Sequence, residues 1–104
     1  MATDADNLRE QLALTGLSYA DWEGEALDLE RAADAAEGGR YVDRRHLQRA
    51  GELVSQIDSE LGMLEEIAQD ARGEMVAQIL GVRDRLEALS RRIREAARRM
   101  HGLI

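Results

Sequence analysis

The fold of this chain is decided by residues 47–103, which read LQRAGELVSQIDSELGMLEEIAQDARGEMVAQILGVRDRLEALSRRIREAARRMHGL. Apolar residues recur there at alternating steps of three and four, so they share one stripe of an α-helix that must be buried against another helix. We call this stripe the seam; it consists of Leu47, Ala50, Val54, Ile57, Leu61, Leu64, Ala68, Ala71, Met75, Ile79, Val82, Leu86, Leu89, Ile93, Ala96, Met100 and Leu103. The sequence therefore predicts an all-α protein.

The composition favours long helices and excludes several kinds of site. Ala, Glu, Leu and Arg supply 56 of the 104 residues, a bias typical of helical bundles and coiled coils. Proline is absent, so no helix is forced to end by a missing amide donor. Cysteine is also absent, which excludes disulfides, thiolate metal sites and thiol nucleophiles. No apolar stretch approaches the ~20 residues of a membrane span, and the N-terminus does not resemble a signal peptide. We expect one cytoplasmic domain without membrane contact.

The charges are unevenly distributed along the chain. The net charge is -8 over residues 1–39, -3 over residues 40–74 and +4 over residues 75–104. All fourteen basic residues are arginine, whose planar side chain pairs bidentately with carboxylates. The acidic first part of the chain therefore complements the basic last part.

Glycines and capping residues predict where the helices begin and end. We expect Gly16 to end a first helix, residues 38–42 to form a loop with two glycines, and Asp43 to cap the next helix. The predicted helices span about residues 4–15, 18–37, 43–72 and 74–101.

The seam is compatible with two architectures. One continuous helix of some 60 residues would be about 90 Å long and would need a partner chain along its length. A hairpin would instead fold the seam in half. The spacing at Ala71, Met75 and Ile79 is four and four, and Gly73 lies within this defect, where glycine suits a helix C-terminus. We therefore favour a bundle of three to four helices built on an antiparallel helical hairpin, with a long coiled-coil helix in a dimer as the alternative.

Seven residues are candidates for contacts with a partner. Three apolar candidates lie beside the main stripe and widen the packing surface, a fourth, Trp22, lies on the stripe of helix 18–37, and we expect all four to be shared between core and interface. Arginines that recur every seven residues flank the seam, where ion pairs select the orientation of neighbouring helices. We expect these arginines to pair with acids of helix 18–37 or of a partner. The candidates are Trp22, Leu53, Ile67, Leu80, Arg85, Arg92 and Arg99.

The segment DRRHLQRAG around His46 is similar to the phosphoacceptor motif of histidine phosphotransfer domains, which are acidic helical bundles of this size. The resemblance implies that His46 carries a phosphoryl group. In this chain Arg49 stands where the family has lysine, Ala50 where it has glycine, and the histidine lies in a first helical turn. The alternative is a solvated histidine near Asp43.

Metal and nucleophilic chemistry have little support in the sequence. Metal sites in helical bundles use repeated Glu-x-x-His pairs, and this chain has none. No Gly-x-Ser-x-Gly motif or phosphate loop is present. We expect no metal, no cofactor and no catalytic residue.

Nucleic acid is not an expected partner, because the arginine-rich last helix lacks aromatic residues and the rest of the chain is acidic. A carboxylate surface that imitates nucleic acid is an alternative. The acids that would form it are Asp21, Glu25, Asp28, Asp34 and Glu37.

We expect a non-catalytic protein–protein interaction module: an adaptor, an assembly or secretion chaperone, or a small inhibitor. It would self-associate through its amphipathic seams, with a dimer as the expected oligomer. The alternatives are a histidine phosphotransfer protein that uses His46 and an acidic nucleic-acid mimic that acts as an inhibitor.

Overall fold

Three helices account for most of the chain, and each is antiparallel to the next along the sequence. The computed structural model describes the backbone of residues 4–104 and the side chains of residues 10, 12–16 and 18–104. The helices are α1 (Asp4–Glu37), α2 (Arg44–Asp70) and α3 (Glu74–His101), and no strand occurs among the described residues. The predicted all-α class is confirmed.

Helix α1 is continuous through Gly16, so the predicted division into helices 4–15 and 18–37 is wrong. A glycine inside a helix costs only about 1 kcal/mol, and no proline is present to force a break. Tertiary packing offsets this cost, because Leu12 and Tyr19 on either side of Gly16 pack against the core. Between them, the buried Thr15 hydroxyl donates to the Glu60 carboxylate of α2.

The loop after α1 is closed by glycine and by an aspartate cap. The Arg40 N–H donates to the Ala35 carbonyl at 3.0 Å, and the Gly39 N–H donates to the Ala36 carbonyl at 3.0 Å. This pair of bonds is a Schellman motif, which requires a left-handed residue, and Gly39 has a φ of 100°. Asp43 then caps α2 by accepting the Arg45 N–H at 2.9 Å. The predicted loop and cap are both confirmed.

The chain reverses direction between α2 and α3. Helix α2 ends at Asp70, Ala71 is extended, and Gly73 has a φ of 64°, a value that L side chains rarely adopt. The Val76 N–H donates to the Gly73 carbonyl at 3.2 Å, which starts α3. The hairpin is therefore present, and the alternative of one continuous helix over the seam is wrong.

Helix α3 packs against both other helices, whereas α1 and α2 contact each other less. The molecule measures 56 × 18 × 16 Å, and its radius of gyration is 16.3 Å, compared with ~13 Å for a compact domain of this length. It is a short rod. The largest fully buried apolar side chains are Leu53, Ile57, Leu64, Ile79, Leu86, Leu89, Ile93 and Met100.

The seam is buried within one chain. Apart from Leu103, its residues are buried or half-buried. Leu103 lies beyond the end of α3 and is 49% exposed. A partner would therefore have to contact surfaces other than the seam, and seam-mediated self-association does not fit this fold.

Replacing Leu89 by alanine tests the burial of the seam. Leu89 is 1% exposed, so its truncation leaves a cavity and should lower the free energy of unfolding by ~2–5 kcal/mol. The matched control is Leu27→Ala on the exposed side of α1, expected to change this free energy by about 0.5 kcal/mol or less. Urea denaturation followed by circular dichroism measures both, and equal effects would contradict the assignment of the core.

Two glycines should respond in opposite ways to alanine. Gly16 has open space around its Cβ position and a helical backbone, so Gly16→Ala should raise the free energy of unfolding by roughly 0.5–1 kcal/mol. Gly73 also has space, but its positive φ should make Gly73→Ala destabilising by about 1–3 kcal/mol. Thermal unfolding of the two variants compares them, and a destabilising Gly16→Ala would show that α1 is not continuous.

Candidate functional site

Ion pairs join α1 to α3 along one edge of the seam. Arg92 contacts the Glu30 carboxylate at 2.6 Å, and Arg99 contacts Asp34 at 2.5 Å and also binds Glu37. The prediction that these two arginines pair with acids of helix 18–37 is confirmed. They fix α1 against α3 within the chain, so their guanidinium groups are already engaged by intramolecular carboxylates.

Arg85 differs from Arg92 and Arg99, although it belongs to the same heptad series. Among the described residues it makes no ion pair. It lies in an open groove between α1 and α3, together with Leu12, Gly81 and Val82. Arg85 therefore borders a shallow groove, whereas Arg92 and Arg99 are held by carboxylates of α1.

Polar contacts also join α1 to α2. Arg49 Nη2 lies 2.7 Å from each of the two carboxylate oxygens of Glu25. The Trp22 indole Nε1 donates to Gln56 Oε1 at 3.2 Å while its ring packs against the core. Trp22 is therefore a half-buried residue of the α1–α2 contact.

The other apolar candidates differ in exposure. Leu53 is 0% exposed, so it belongs to the core, and its prediction as an interface residue is wrong. Because the neighbouring side chains cover Leu53 completely, it has no exposed surface left for a partner. Ile67 is half-buried against the core, and Leu80 is 40% exposed. Of these three, Leu80 presents the largest accessible surface.

Exposed apolar side chains concentrate at the two ends of the rod. We define the loop end as residues 36–46 and 98–104, and the turn end as residues 60–80 with residues 10–15 of α1. Contacts between Thr15 and Glu60 and between Arg99 and Glu37 place these segments together. The exposed apolar side chains are Tyr41, Leu103 and Ile104 at the loop end, and Leu14, Met63, Val76 and Leu80 at the turn end.

The loop end contains an open cleft of about 560 Å³. Arg40 and Arg44 border it, and neither makes an ion pair among the described residues. Tyr41 is fully exposed beside them. The residues that line the cleft are Ala36, Gly39, Arg40, Tyr41, Val42, Arg44, Leu103 and Ile104. The sequence pattern identified only a loop here, because the cleft forms between segments 60 residues apart.

His46 lies in the first turn of α2 and is half-buried. Its backbone N–H donates to the Asp43 carbonyl at 3.0 Å, and Arg45 binds the Asp43 carboxylate at 3.1 Å. Ala50, which stands in the motif where phosphotransfer domains have glycine, is buried in the core. The described residues contain no group of three or more His, Cys, Asp or Glu side chains arranged to hold a metal ion.

The acids proposed to imitate nucleic acid are mostly paired with arginine. Glu25 binds Arg49, Asp28 lies 4.0 Å from Arg31, and Asp34 and Glu37 bind Arg99, which leaves Asp21 as the member without an ion pair among the described residues. These pairs neutralise much of the negative charge that a nucleic-acid mimic would need to present.

Comparison with protein families, with curated proteins and with solved structures finds no significant match. Within the described part of the chain, no helix is both long enough and apolar enough to cross a membrane.

The Asp43 cap makes stability dependent on pH. Hydrogen bonds from the Arg45 N–H and the Arg45 side chain lower the pKa of Asp43 below its ordinary value of 3.8. Because the pKa is lower in the folded state, the charged cap stabilises the protein fully above pH 3.8. This contribution is lost as the pH falls through the pKa of the folded state. Asp43→Asn keeps a capping oxygen but removes the charge. We expect the wild-type chain to melt at a higher temperature than Asp43→Asn near neutral pH, and this difference to vanish well below pH 3.8.

Asp43→Ala provides the comparison for that experiment, because it removes the capping oxygen as well as the charge. We expect it to remain less stable than Asp43→Asn at every pH. A difference between wild type and Asp43→Asn that does not change with pH would contradict the role of the charged cap.

Proposed function

We propose that the chain is a non-catalytic protein–protein interaction module that works in the cytoplasm as an adaptor, an assembly or secretion chaperone, or a small inhibitor. The observation that carries this proposal is the concentration of exposed apolar side chains at both ends of a rod whose core is complete without them. In such a rod, the exposed side chains are free to serve recognition.

The loop end has the composition of a binding surface. Tyrosine and arginine are enriched among the residues that dominate binding energy at protein interfaces. Tyr41 is fully exposed between Arg40 and the Asp43 cap, in a loop whose ends are fixed by the Schellman motif and by α2. A loop that is held in this way loses little conformational freedom when it binds, which favours affinity.

The turn end offers a second apolar surface on regular structure. Val76 and Leu80 are four residues apart on α3, so they are neighbours on one helix face. Pairs with this spacing are the anchors that an amphipathic helix lays into a groove of its partner. The rod therefore carries two separate apolar surfaces, a feature that suits an adaptor joining two partners.

Affinity capture with matched variants tests the proposal. Tagged full-length chain is expressed in its source cells as wild type, as Tyr41→Ser with Leu103→Ser, as Val76→Ser with Leu80→Ser, and as Leu27→Ser, which changes an exposed leucine away from both ends. We expect one protein retained by wild type and by Leu27→Ser to be lost from at least one of the double variants.

Circular dichroism melts establish that the four chains are equally folded. Capture of the same proteins by all four chains would contradict recognition through the ends of the rod.

A further inference from the structure

The two ends of the rod carry opposite charges. Side chains of the turn end as defined above include six carboxylates and one arginine, whereas those of the loop end include five arginines and two carboxylates. At the turn end, Glu65, Glu66, Asp70 and Glu74 are exposed and make no ion pair among the described residues. Each end therefore combines an excess of unpaired charge of one sign with exposed apolar side chains.

The loop end complements the turn end in charge. The loop-end cleft of about 560 Å³ is lined by apolar residues together with the unpaired Arg40 and Arg44. The turn end exposes 37% of Val76 and 40% of Leu80 on α3, and Glu74 lies in the first turn of the same helix. A cleft bordered by cations and an apolar surface at an acidic end are complementary in charge.

We propose that two copies of this chain associate in antiparallel orientation, with the loop end of each against the turn end of the other. This inference rests on the proposed function, because it assigns the exposed ends to a particular protein partner. The resulting dimer is closed by twofold symmetry, and each copy contributes one loop-end cleft and one turn-end apolar surface.

The dimensions of the rod favour antiparallel overlap over end-to-end stacking. The end face of 18 × 16 Å offers about 290 Å², well below the roughly 800 Å² per partner of a stable interface. Overlap along the 56 Å axis brings two equivalent end contacts into one complex. Head-to-tail stacking would also leave one end free in every complex and would continue into open filaments.

Charge exchange between the ends tests the proposal. The first variant, Arg40→Glu with Arg44→Glu, makes both ends acidic; the second, Glu65→Arg with Glu66→Arg and Asp70→Arg, makes both ends basic. Sedimentation equilibrium at low and high salt measures the association of each full-length chain alone and of the equimolar mixture. We expect wild type to form a dimer that salt weakens and each variant alone to bind itself at least about tenfold more weakly, because like charges then face each other.

The mixture is the decisive sample, since it restores opposite charges at both contacts. We expect it to form a one-to-one complex with an affinity near that of wild type. Arg31→Glu with Arg91→Glu is the control matched to the first variant: it makes the same change in net charge at exposed sites outside the two ends, and we expect it to dimerise within about threefold of wild type.

The possible results separate this inference from the proposed function. A monomeric wild type would overturn the antiparallel dimer, yet the affinity capture described above would still decide whether the ends bind other proteins. A dimer that both charge variants retain, or a mixture that does not associate, would overturn the assignment of the ends while leaving self-association in place. Species larger than a dimer would show open head-to-tail stacking and overturn the closed arrangement.

Discussion

The reversal of the chain at Gly73 is the constraint on which the rest of the structure depends. The seam of residues 47–103 is long enough to form one helix, and a straight helix would leave its entire apolar stripe without a partner. The positive φ of Gly73 and the extended Ala71 let α3 return along α2, so that one half of the stripe covers the other. Every buried contact between α2 and α3 follows from this turn.

The folded seam in turn determines where α1 lies and which surfaces stay available. Helix α3 packs against both neighbours, and Arg92 and Arg99 fix α1 through Glu30, Asp34 and Glu37. Exposed ion pairs of this type contribute little stability individually, and their main effect is to select one arrangement of the helices. Charge and apolar side chains that this packing does not use remain at the two ends of the rod, and our functional proposals are based on them.

Much of the fold was predictable from the sequence because local chemistry and helical periodicity agree over residues 38–101. The two-glycine loop, the Asp43 cap and the turn at Gly73 each have a local signal that tertiary packing reinforces. Gly16 carries a similar local signal, but the packing of Leu12 and Tyr19 keeps α1 continuous. The full burial of Leu53 was not predictable, because periodicity shows which residues share a helix face but not how much of that face a third helix covers. The loop-end cleft depends on residues 36–44 meeting residues 103–104, a contact that no local pattern encodes.

The most direct test of this account is a distance between α2 and α3 within one chain. Since the chain has no cysteine, spin labels can be attached at Asp58→Cys and Arg94→Cys and measured by pulsed electron resonance after dilution into unlabelled protein, which removes distances between chains. The hairpin places these positions near enough for a 3.3 Å ion pair between the native side chains, so we predict a short label separation. A separation near ~54 Å, the length of 36 residues of continuous helix, would contradict the turn at Gly73.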